Sequence, residues 1–358
     1  MENINGKPID FVVVGAGQIG SRHIDIIRGL PNARLVGVVD IDPSKQEVVE
    51  EGIPFFSSIE EYIQSGHKAD VATICTPNGL HAPQAFEMVQ NQHHVLIEKP
   101  MALTRADAEQ LLKESNRQER RVFCVLQNRY TPTSQWVKRV VDEDLLGDIF
   151  MLQVNCFWNR GRRYYEKASW RGSEDMDGGT LFTQFSHFVD LVHWLFGEWR
   201  NIQPMLYNYH HRNLTDFEDS GSIRFNLENG GLGTFNFTTA AWEKNMESSL
   251  TLLGEKGTLK VGGQYMDRIE YCHIENYNAP EISPCNPPNQ YDGFQGSASN
   301  HQQVFNNVLK ALHHQPCEIT EGHSASGVVG LIEDIYSAAG RTIQPAIKPS
   351  FSNGFKVS

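Results

Sequence analysis

Short apolar runs alternate with longer amphipathic stretches along the first 126 residues of the chain. The runs are rich in β-branched residues, as strands buried on both faces of a sheet require. The stretches between them carry apolar residues at helical spacing. The pattern therefore predicts an α/β fold with a doubly wound parallel sheet. The predicted strands are residues 9–14, 35–40, 69–75, 94–98 and 121–126, and the predicted helices beyond residue 40 are 43–51, 58–65, 81–91 and 104–120.

The pattern changes after residue 126, where strands follow one another through short turns. Consecutive strands with short connections are typical of an antiparallel sheet. We therefore divide the chain into two domains, residues 1–126 and residues 127–358. The predicted strands of the second domain are 149–159, 202–207, 221–227, 231–238, 249–253, 258–261 and 269–273, its predicted helices are 133–142, 181–196, 301–313 and 324–339, and 276–300 is a predicted polar loop.

Composition narrows the class of protein. The net charge of −12 argues against a nucleic-acid partner or an anionic membrane surface. The N-terminus lacks a cationic region followed by an apolar core, and no apolar run reaches membrane-spanning length. The six cysteines are scattered, which is typical of reduced thiols. We therefore expect a cytoplasmic protein without membrane or nucleic-acid partners. Cys272, His273 and Cys285 do not have the spacing of a usual metal site, and we expect no metal.

A glycine-rich motif joins the first predicted strand to the helix that follows it. Gly15, Gly17 and Gly20 have the G-x-G-x-x-G spacing, with Gln18 and Ile19 between the last two. The first glycine permits a tight turn, the second lets the backbone approach a pyrophosphate, and the third lets helix and strand pack closely. The amides at the helix N-terminus would hold the phosphates. The alternative is a glycine-rich turn without a ligand.

Asp40 ends the second predicted strand, about 20 residues beyond Gly20, where a carboxylate meets the adenosine ribose of a dinucleotide. A carboxylate there repels the 2′-phosphate of NADP, and no arginine follows it closely. Lys45 is the one nearby cation that would favour NADP. We therefore predict NAD as the cofactor.

Other polar residues follow the carboxyl ends of the predicted strands, the edge at which doubly wound sheets bind ligands. Lys99 lies there, and Pro100 fixes the chain just after it. Oxidation of an alcohol needs a base for the hydroxyl proton, and burial beside a positive nicotinamide would keep a lysine neutral enough to accept it. The alternative is a surface lysine paired with Glu98. We assign Thr76, Asn78, His81 and Glu98, at the same edge, to cofactor binding.

His187 lies in the strongly apolar helix predicted over 181–196. Thr183, Gln184 and Asp190 occupy neighbouring positions on the surface of that helix. Such a polar cluster in an apolar helix is more typical of a cleft than of a core. The alternative is a core histidine with satisfied hydrogen bonds.

Residues 158–172 combine aromatic and arginine side chains in one predicted loop. Flat aromatic faces suit a sugar ring, and guanidinium groups suit a phosphate or carboxylate. In an acidic chain this local positive charge indicates an anionic substrate. The alternative is a solvated loop that also contributes to packing.

Together these motifs resemble the Gfo/Idh/MocA family of sugar and inositol oxidoreductases. The matching segments are 15–20, 76–78 with His81, 98–100, and 178–179 followed by His187 and Asp190. The resemblance implies a Rossmann domain followed by an α/β domain with a large, open, mostly antiparallel sheet. It also implies that this sheet forms a homodimer or homotetramer, and that Lys99 and His187 take part in catalysis.

Segments 164–165, 170–172, 177–179 and 256–263 are similar to the dehydrogenases that oxidise UDP-N-acetylglucosaminuronate at C3. Many family members carry an aspartate four residues before the histidine, where this chain has Thr183. Whether the proton passes only through Lys99 or onward to His187 therefore stays open. The substrate contacts predicted on this basis are Arg129, Tyr165, Trp170, Arg171, Thr183 and Gln184.

The sequence thus predicts an NAD-dependent dehydrogenase that oxidises a secondary alcohol, C3 of a nucleotide-linked or acidic pyranose, with Lys99 as base and His187 assisting. Two alternatives remain. A hydrolase would oxidise C3 transiently, eliminate a glycoside and accumulate no NADH, whereas a non-catalytic sensor would only bind NAD and a sugar.

Overall fold

The computed structural model describes residues 7–291 and 294–347. Its first sheet consists of β1 (Ile9–Val14), β2 (Ala33–Val39), β3 (Phe55–Phe56), β4 (Val71–Ile74), β5 (His94–Ile97) and β6 (Val122–Cys124). The strands lie in the order β3-β2-β1-β4-β5-β6, and all neighbours are parallel. This confirms the predicted doubly wound sheet. The chain order reverses between β1 and β4, which opens a crevice at the carboxyl ends of these strands.

Four α-helices connect the strands of this sheet: α1 (Gln18–Gly29), α2 (Ile59–Gln64), α3 (Asn78–Gln90) and α4 (Arg105–Arg117). The side chains of Ser58 and Thr104 cap α2 and α4 by accepting hydrogen bonds from backbone amides. The helix predicted over 43–51 is instead a short 3-10 segment, Pro43–Val48. None of its residues is buried, so no packing stabilises a longer helix there.

The second sheet has seven strands: β7 (Ile149–Phe157), β8 (Arg200–Tyr207), β9 (Ser220–Asn226), β10 (Leu232–Thr238), β11 (Glu247–Gly254), β12 (Gly257–Gly262) and β13 (Arg268–Ile274). They lie in the order β13-β12-β11-β7-β10-β9-β8. Only β7 and β10 pair in parallel, so the sheet is mostly antiparallel, as predicted.

The helices of the second half are α5 (Pro132–Asp142), α6 (Arg162–Tyr165), α7 (Ser186–Phe196), α8 (His301–Leu312) and α9 (Gly322–Ala338). Side chains from α7 and α9 join those on one face of the second sheet in a single hydrophobic cluster. The opposite face is open and exposes the apolar side chains of Met151, Met205, Tyr207, Leu253 and Tyr271. Within residues 7–291 and 294–347, no helix is long and apolar enough to cross a bilayer.

Three segments of the second half differ from their predicted form, and the first is α6 (Arg162–Tyr165), which lies within the predicted loop over 158–172. The helix predicted over 181–196 opens with a π-helical turn, Leu181–Phe185, and becomes α-helical only from Ser186. The loop predicted over 276–300 contains a hairpin of β14 (Pro288–Tyr291) and β15 (Phe294–Ala298). The apolar pattern of 181–196 predicts a helix but not the position of a π turn, and residues 276–300 have no periodic apolar pattern from which a hairpin can be predicted.

Helix α8 returns to the first sheet although it lies far along the chain. Its buried residues join a hydrophobic cluster with β1 and α1. The Phe305 ring lies 5.7 Å from the Phe11 ring and 5.0 Å from the His23 ring, centre to centre. The hydrophobic core of the first sheet is therefore completed by residues beyond 300. The domain division at residue 126 stays a prediction.

This packing predicts that Phe305→Ala lowers the free energy of unfolding by about 3–5 kcal/mol, the usual cost of emptying a buried phenylalanine site. Gln302→Ala, on the exposed side of the same helix, is the matched control and should change it by less than about 0.5 kcal/mol. Urea denaturation measures both variants. An equally small effect for Phe305→Ala would contradict the role of α8 in this core.

Candidate functional site

A cavity of about 920 Å³ lies between the carboxyl ends of the first sheet's strands and the start of α7. Its volume suits a dinucleotide together with a second small molecule. Residues from both halves of the chain line it. Fifteen of the predicted site residues are among them: Gly15, Gly17, Gln18, Ile19, Asp40, Thr76, Asn78, His81, Glu98, Lys99, Trp170, Arg171, Thr183, Gln184 and His187.

The glycine-rich turn has the geometry that its spacing predicts. Gly15 has a φ of +90°, and a Cβ there would lie 2.9 Å from the carbonyl carbon of Cys75. A Cβ on Gly20 would lie 1.8 Å from the Gly15 carbonyl oxygen, so α1 could not pack this closely with any side chain there. By contrast, a Cβ on Gly17 would meet no protein atom within 4 Å. Gly17 therefore leaves space for a ligand at the N-terminus of α1, where backbone amides favour an anion.

Asp40 lies at the end of β2, beside the same turn. Its Oδ2 accepts a hydrogen bond from the Ala16 amide at 2.6 Å, and its Oδ1 accepts one from the Asp42 amide at 2.8 Å. These two bonds fix the orientation of the carboxylate at the cavity wall. This fixed negative charge is unfavourable for a 2′-phosphate and suits the hydroxyls of the NAD ribose.

The loops after β4 and β5 are held together by His81 in α3. Its Nδ1 lies 2.7 Å from the Pro100 carbonyl oxygen and its Nε2 lies 2.8 Å from the Thr76 carbonyl oxygen. His81 was predicted to bind cofactor, but both of its ring nitrogens contact the protein's own backbone. It therefore shapes the cavity floor. Thr76 is similarly engaged, since its hydroxyl donates to Oε1 of Gln84 at 2.6 Å.

Glu98 is buried between two imidazoles at the cavity wall. Its Oε1 lies 2.9 Å from Nε2 of His23 and 3.2 Å from Nε2 of His301. Burial alone would raise the Glu98 pKa, but the hydrogen bonds from the two histidines outweigh it and hold the pKa well below its usual range. The three side chains bring their potential ligand atoms within 4.8 Å of one another. The contacts they make are hydrogen bonds that stabilise a charged carboxylate directly beside Lys99.

Lys99 directly follows this carboxylate and is partly buried in the cavity. Its Nζ donates a hydrogen bond to the Thr183 carbonyl oxygen, in the π turn before α7. Burial lowers the Lys99 pKa from its usual value, while Glu98 and Asp177 raise it. The burial effect is the larger one, so the neutral amine is more accessible than in an exposed lysine.

His187 is in the first turn of α7 and is buried at the cavity wall. Burial lowers its pKa well below the usual range, and the positive charge of Lys99 lowers it further. The ring is therefore neutral at physiological pH. Within the described part of the chain, its Nδ1 has no hydrogen-bond partner. The structure thus brings a neutral imidazole and an amine of lowered pKa to the same cavity.

Gln184 connects the cavity wall to the aromatic and basic loop. Its Oε1 accepts from Nε of Arg160 at 2.7 Å, and its Nε2 donates to the Tyr164 hydroxyl at 2.7 Å. The Arg171 guanidinium lies over the Tyr164 ring at 4.2 Å and donates to the Tyr164 carbonyl at 2.9 Å. Trp170 lines the cavity beside it. These contacts fix the orientations of the aromatic rings and guanidinium groups in the loop. The loop is therefore ordered by packing, and Trp170 and Arg171 still face the cavity.

Three predicted site residues do not line the cavity. Arg129 forms a buried ion pair with Asp190 of α7, so its guanidinium is engaged within the protein. Tyr165 is buried against the rings of Tyr164 and His211, at 5.0 and 5.1 Å. Gly20 lies in α1, directly against the Gly15 carbonyl of the glycine-rich turn. The structure therefore places Arg129 and Tyr165 away from the cavity lining, against the predicted substrate contacts, and engages both with protein groups.

Several residues of the site were not identified from the sequence. His301 lines the cavity, and His23 lies beneath it; they are far from Glu98 along the chain, so no spacing connects them. Asp177 lies next to the Thr183 hydroxyl. Segment 177–179 was matched to the family, but Asp177 was given no role there. The two glycines after it, with φ of +87° and +127°, form a sharp turn that signals a fixed position for this carboxylate.

The open space at Gly17 predicts that Gly17→Ala leaves thermal stability unchanged but weakens NAD binding about tenfold, because the added methyl enters the pyrophosphate site. Gly20→Ala should instead destabilise the fold, since its Cβ would overlap the Gly15 carbonyl. Gly29→Ala, where a Cβ also meets nothing within 4 Å, is the control for both measurements. Thermal unfolding and calorimetric titration with NAD separate these outcomes. Unchanged NAD affinity in Gly17→Ala would place the pyrophosphate elsewhere.

Two families of known domains match this chain. Residues 9–125 match the oxidoreductase family with an NAD-binding Rossmann fold, and residues 134–260 match the GFO/IDH/MocA C-terminal domain. A similar curated protein is glucose-6-phosphate 3-dehydrogenase of Bacillus subtilis, which is 29% identical over 188 residues, or 51% of this chain and 53% of that protein.

Among solved structures, the WlbA dehydrogenase of Bordetella pertussis in complex with NADH and UDP-GlcNAcA is 33% identical, with a TM-score of 0.81 over 93% of this chain and 97% of that one. The WlbA dehydrogenase of Chromobacterium violaceum, in the same type of complex, is 32% identical, with a TM-score of 0.83 over 95% and 96%. The chain therefore belongs to the Gfo/Idh/MocA family of NAD-dependent sugar oxidoreductases.

Proposed function

We propose that this oxidoreductase removes the C3 hydrogen and hydroxyl proton of a UDP-linked N-acetylhexosaminuronate, with Lys99 as the base and His187 assisting. The observation that carries the proposal is the Lys99 amine held in the shared cavity, with a lowered pKa and a neutral imidazole on the facing helix. The similarity to two enzymes solved with UDP-GlcNAcA supports the choice of substrate class.

The residues present fit NAD, because Gly17 leaves the N-terminus of α1 open and Asp40 is oriented at the ribose end. When bound there, NAD supplies the acceptor for the hydride that leaves the carbinol carbon. Lys99 takes the hydroxyl proton, and the Thr183 carbonyl stabilises the resulting ammonium. His187, which is neutral, can share a hydrogen bond with the same hydroxyl and keep it in position.

The charge of the cavity also supports an acidic, nucleotide-linked sugar. Arg160, Lys167 and Arg171 line its second-domain side, in a chain with a net charge of −12. Guanidinium groups recognise carboxylates and phosphates by paired hydrogen bonds. A uronate and a diphosphate both carry the negative charge that this part of the cavity favours.

The open face of the second sheet supports a homodimer or homotetramer. Exposed apolar side chains point outward from β7, β8, β11 and β13, with Met151 on the central strand β7 opposite Leu253 on β11. An exposed apolar patch on a sheet of this size is typical of a protein–protein interface. A second copy of the chain would cover the face symmetrically.

Lys99→Met should lower turnover of UDP-N-acetylglucosaminuronate by about two to four powers of ten, because the variant has no group to accept the hydroxyl proton. NAD binding, measured by calorimetry, should survive. Lys138→Met is the matched control, since that amine pairs with Asp142 outside the cavity, and its turnover should stay normal. The absorbance of NADH measures the reaction.

Normal turnover in Lys99→Met would remove Lys99 from the mechanism. Cleavage of a glycoside without net NADH would instead support the hydrolase, and absence of turnover on any sugar would support the sensor.

Met151→Glu should dissociate the oligomer into monomers, because it buries a charge within the proposed interface. Val48→Glu, an exposed apolar residue of the first domain, is the control and should not change the molar mass. Size-exclusion chromatography with light scattering measures both. A wild-type chain that is monomeric at micromolar concentration would contradict the interface.

A further inference from the structure

Asp177 is a buried carboxylate that the proposed chemistry does not use. It is only 1% exposed. Its Oδ2 accepts a hydrogen bond from the Gly172 amide at 2.7 Å, and its Oδ1 accepts one from the Thr183 hydroxyl. Gly178 and Gly179, both at positive φ, turn the chain sharply just after it. The carboxylate is therefore fixed against the π turn that begins at Leu181.

Thr183 connects this carboxylate to Lys99. The Thr183 hydroxyl donates to Asp177 and accepts from Nδ2 of Asn78 at 2.9 Å, while its carbonyl oxygen accepts from the Lys99 amine. Asn78 also donates to the Asp177 carbonyl at 2.8 Å. Thr183 thus contacts the Asp177 carboxylate through its side chain and the Lys99 amine through its backbone. Asn78 donates hydrogen bonds to both Thr183 and Asp177 and so fixes their relative positions.

Asp177 and Lys99 also interact through their charges. The negative carboxylate raises the Lys99 pKa, against the lowering effect of burial. In turn, burial raises the Asp177 pKa to about 7, although the Gly172 amide and the positive Lys99 lower it. Other titratable and charged groups interact with this pair through their charges. Those near Lys99 are Glu98, Arg160, Cys124, His81 and His187. Those near Asp177 are Arg171, Glu218, Tyr164 and Tyr165.

We propose that Asp177 is a positioning residue for Lys99, because it holds the Thr183 hydroxyl and so orients the Thr183 carbonyl that accepts from the amine. The inference rests on the proposed role of Lys99 as base. It explains how a lysine just after β5 is matched to a hydroxyl bound by the second half of the chain, since Asp177 and Thr183 belong to the segment that leads into the helix of His187.

The sign of the effect follows from the charges. Lys99 accepts a proton only when neutral, so kcat/KM rises with pH through its pKa. Ionised Asp177 favours the ammonium form and places this rise at higher pH. Removal of the carboxylate charge should therefore move the rise to lower pH, by about one unit, the low end of the effect of an opposite charge a few Å away.

Asp177→Asn tests the inference, because asparagine keeps an acceptor for the Gly172 amide and nearly the same volume. The pH dependence of kcat/KM for UDP-N-acetylglucosaminuronate at saturating NAD should shift down by about one unit. Asp219→Asn is the control for general destabilisation, since Asp219 is equally buried, accepts backbone hydrogen bonds and does not act on Lys99. Its profile should match the wild type.

A second measurement needs no turnover. Reductive methylation with ¹³C-formaldehyde labels the lysines, and the Lys99 signal is assigned by its absence in Lys99→Met. Its NMR titration midpoint should be lower in Asp177→Asn than in wild type. An unchanged midpoint, an unchanged kinetic profile, or an equal shift in Asp219→Asn would overturn the role of Asp177. Loss of activity in Lys99→Met, together with an unshifted pH profile in Asp177→Asn, would contradict this inference but would still support the proposed function.

Discussion

The hydrogen bond from the Lys99 amine to the Thr183 carbonyl joins the two halves of the cavity. Lys99 follows a strand of the first sheet, and Thr183 lies in the π turn that leads into α7. π turns inside helices are frequent at functional sites. Because the bond joins the segment after β5 to the turn before α7, any reaction that uses this amine depends on how these two parts of the chain pack together. The rest of the site supports that contact.

The parts of the site whose position in the structure follows from the sequence are those built from local chemistry. Gly15 and Gly20 are required by close backbone approaches within one strand–turn–helix unit, and Asp40 ends the next strand. Lys99 lies in the cavity because the carboxyl edge of a parallel sheet faces the crevice. The catalytic roles of Lys99 and His187 stay predictions, but their shared location could be inferred from strand order and helix spacing alone.

The parts that could not be predicted depend on contacts between distant segments. Glu98 is charged because His23 and His301 donate to it, and those three positions share no spacing. Arg129 was predicted to contact substrate, yet its guanidinium pairs with Asp190 inside the packing of α7. A sequence shows that an arginine is present, whereas only the fold decides which carboxylate it reaches. The packing of α8 against the first sheet is another contact between distant segments, here made by a whole helix.

The crystal structure of the complex with NAD and UDP-N-acetylglucosaminuronate is the most direct test of the central claim. The account predicts the Lys99 Nζ at about 3 Å from the C3 hydroxyl oxygen, and C3 within about 3.5 Å of the nicotinamide carbon that receives the hydride. An amine that points away from the sugar, or a nicotinamide ring facing a different carbon, would contradict it.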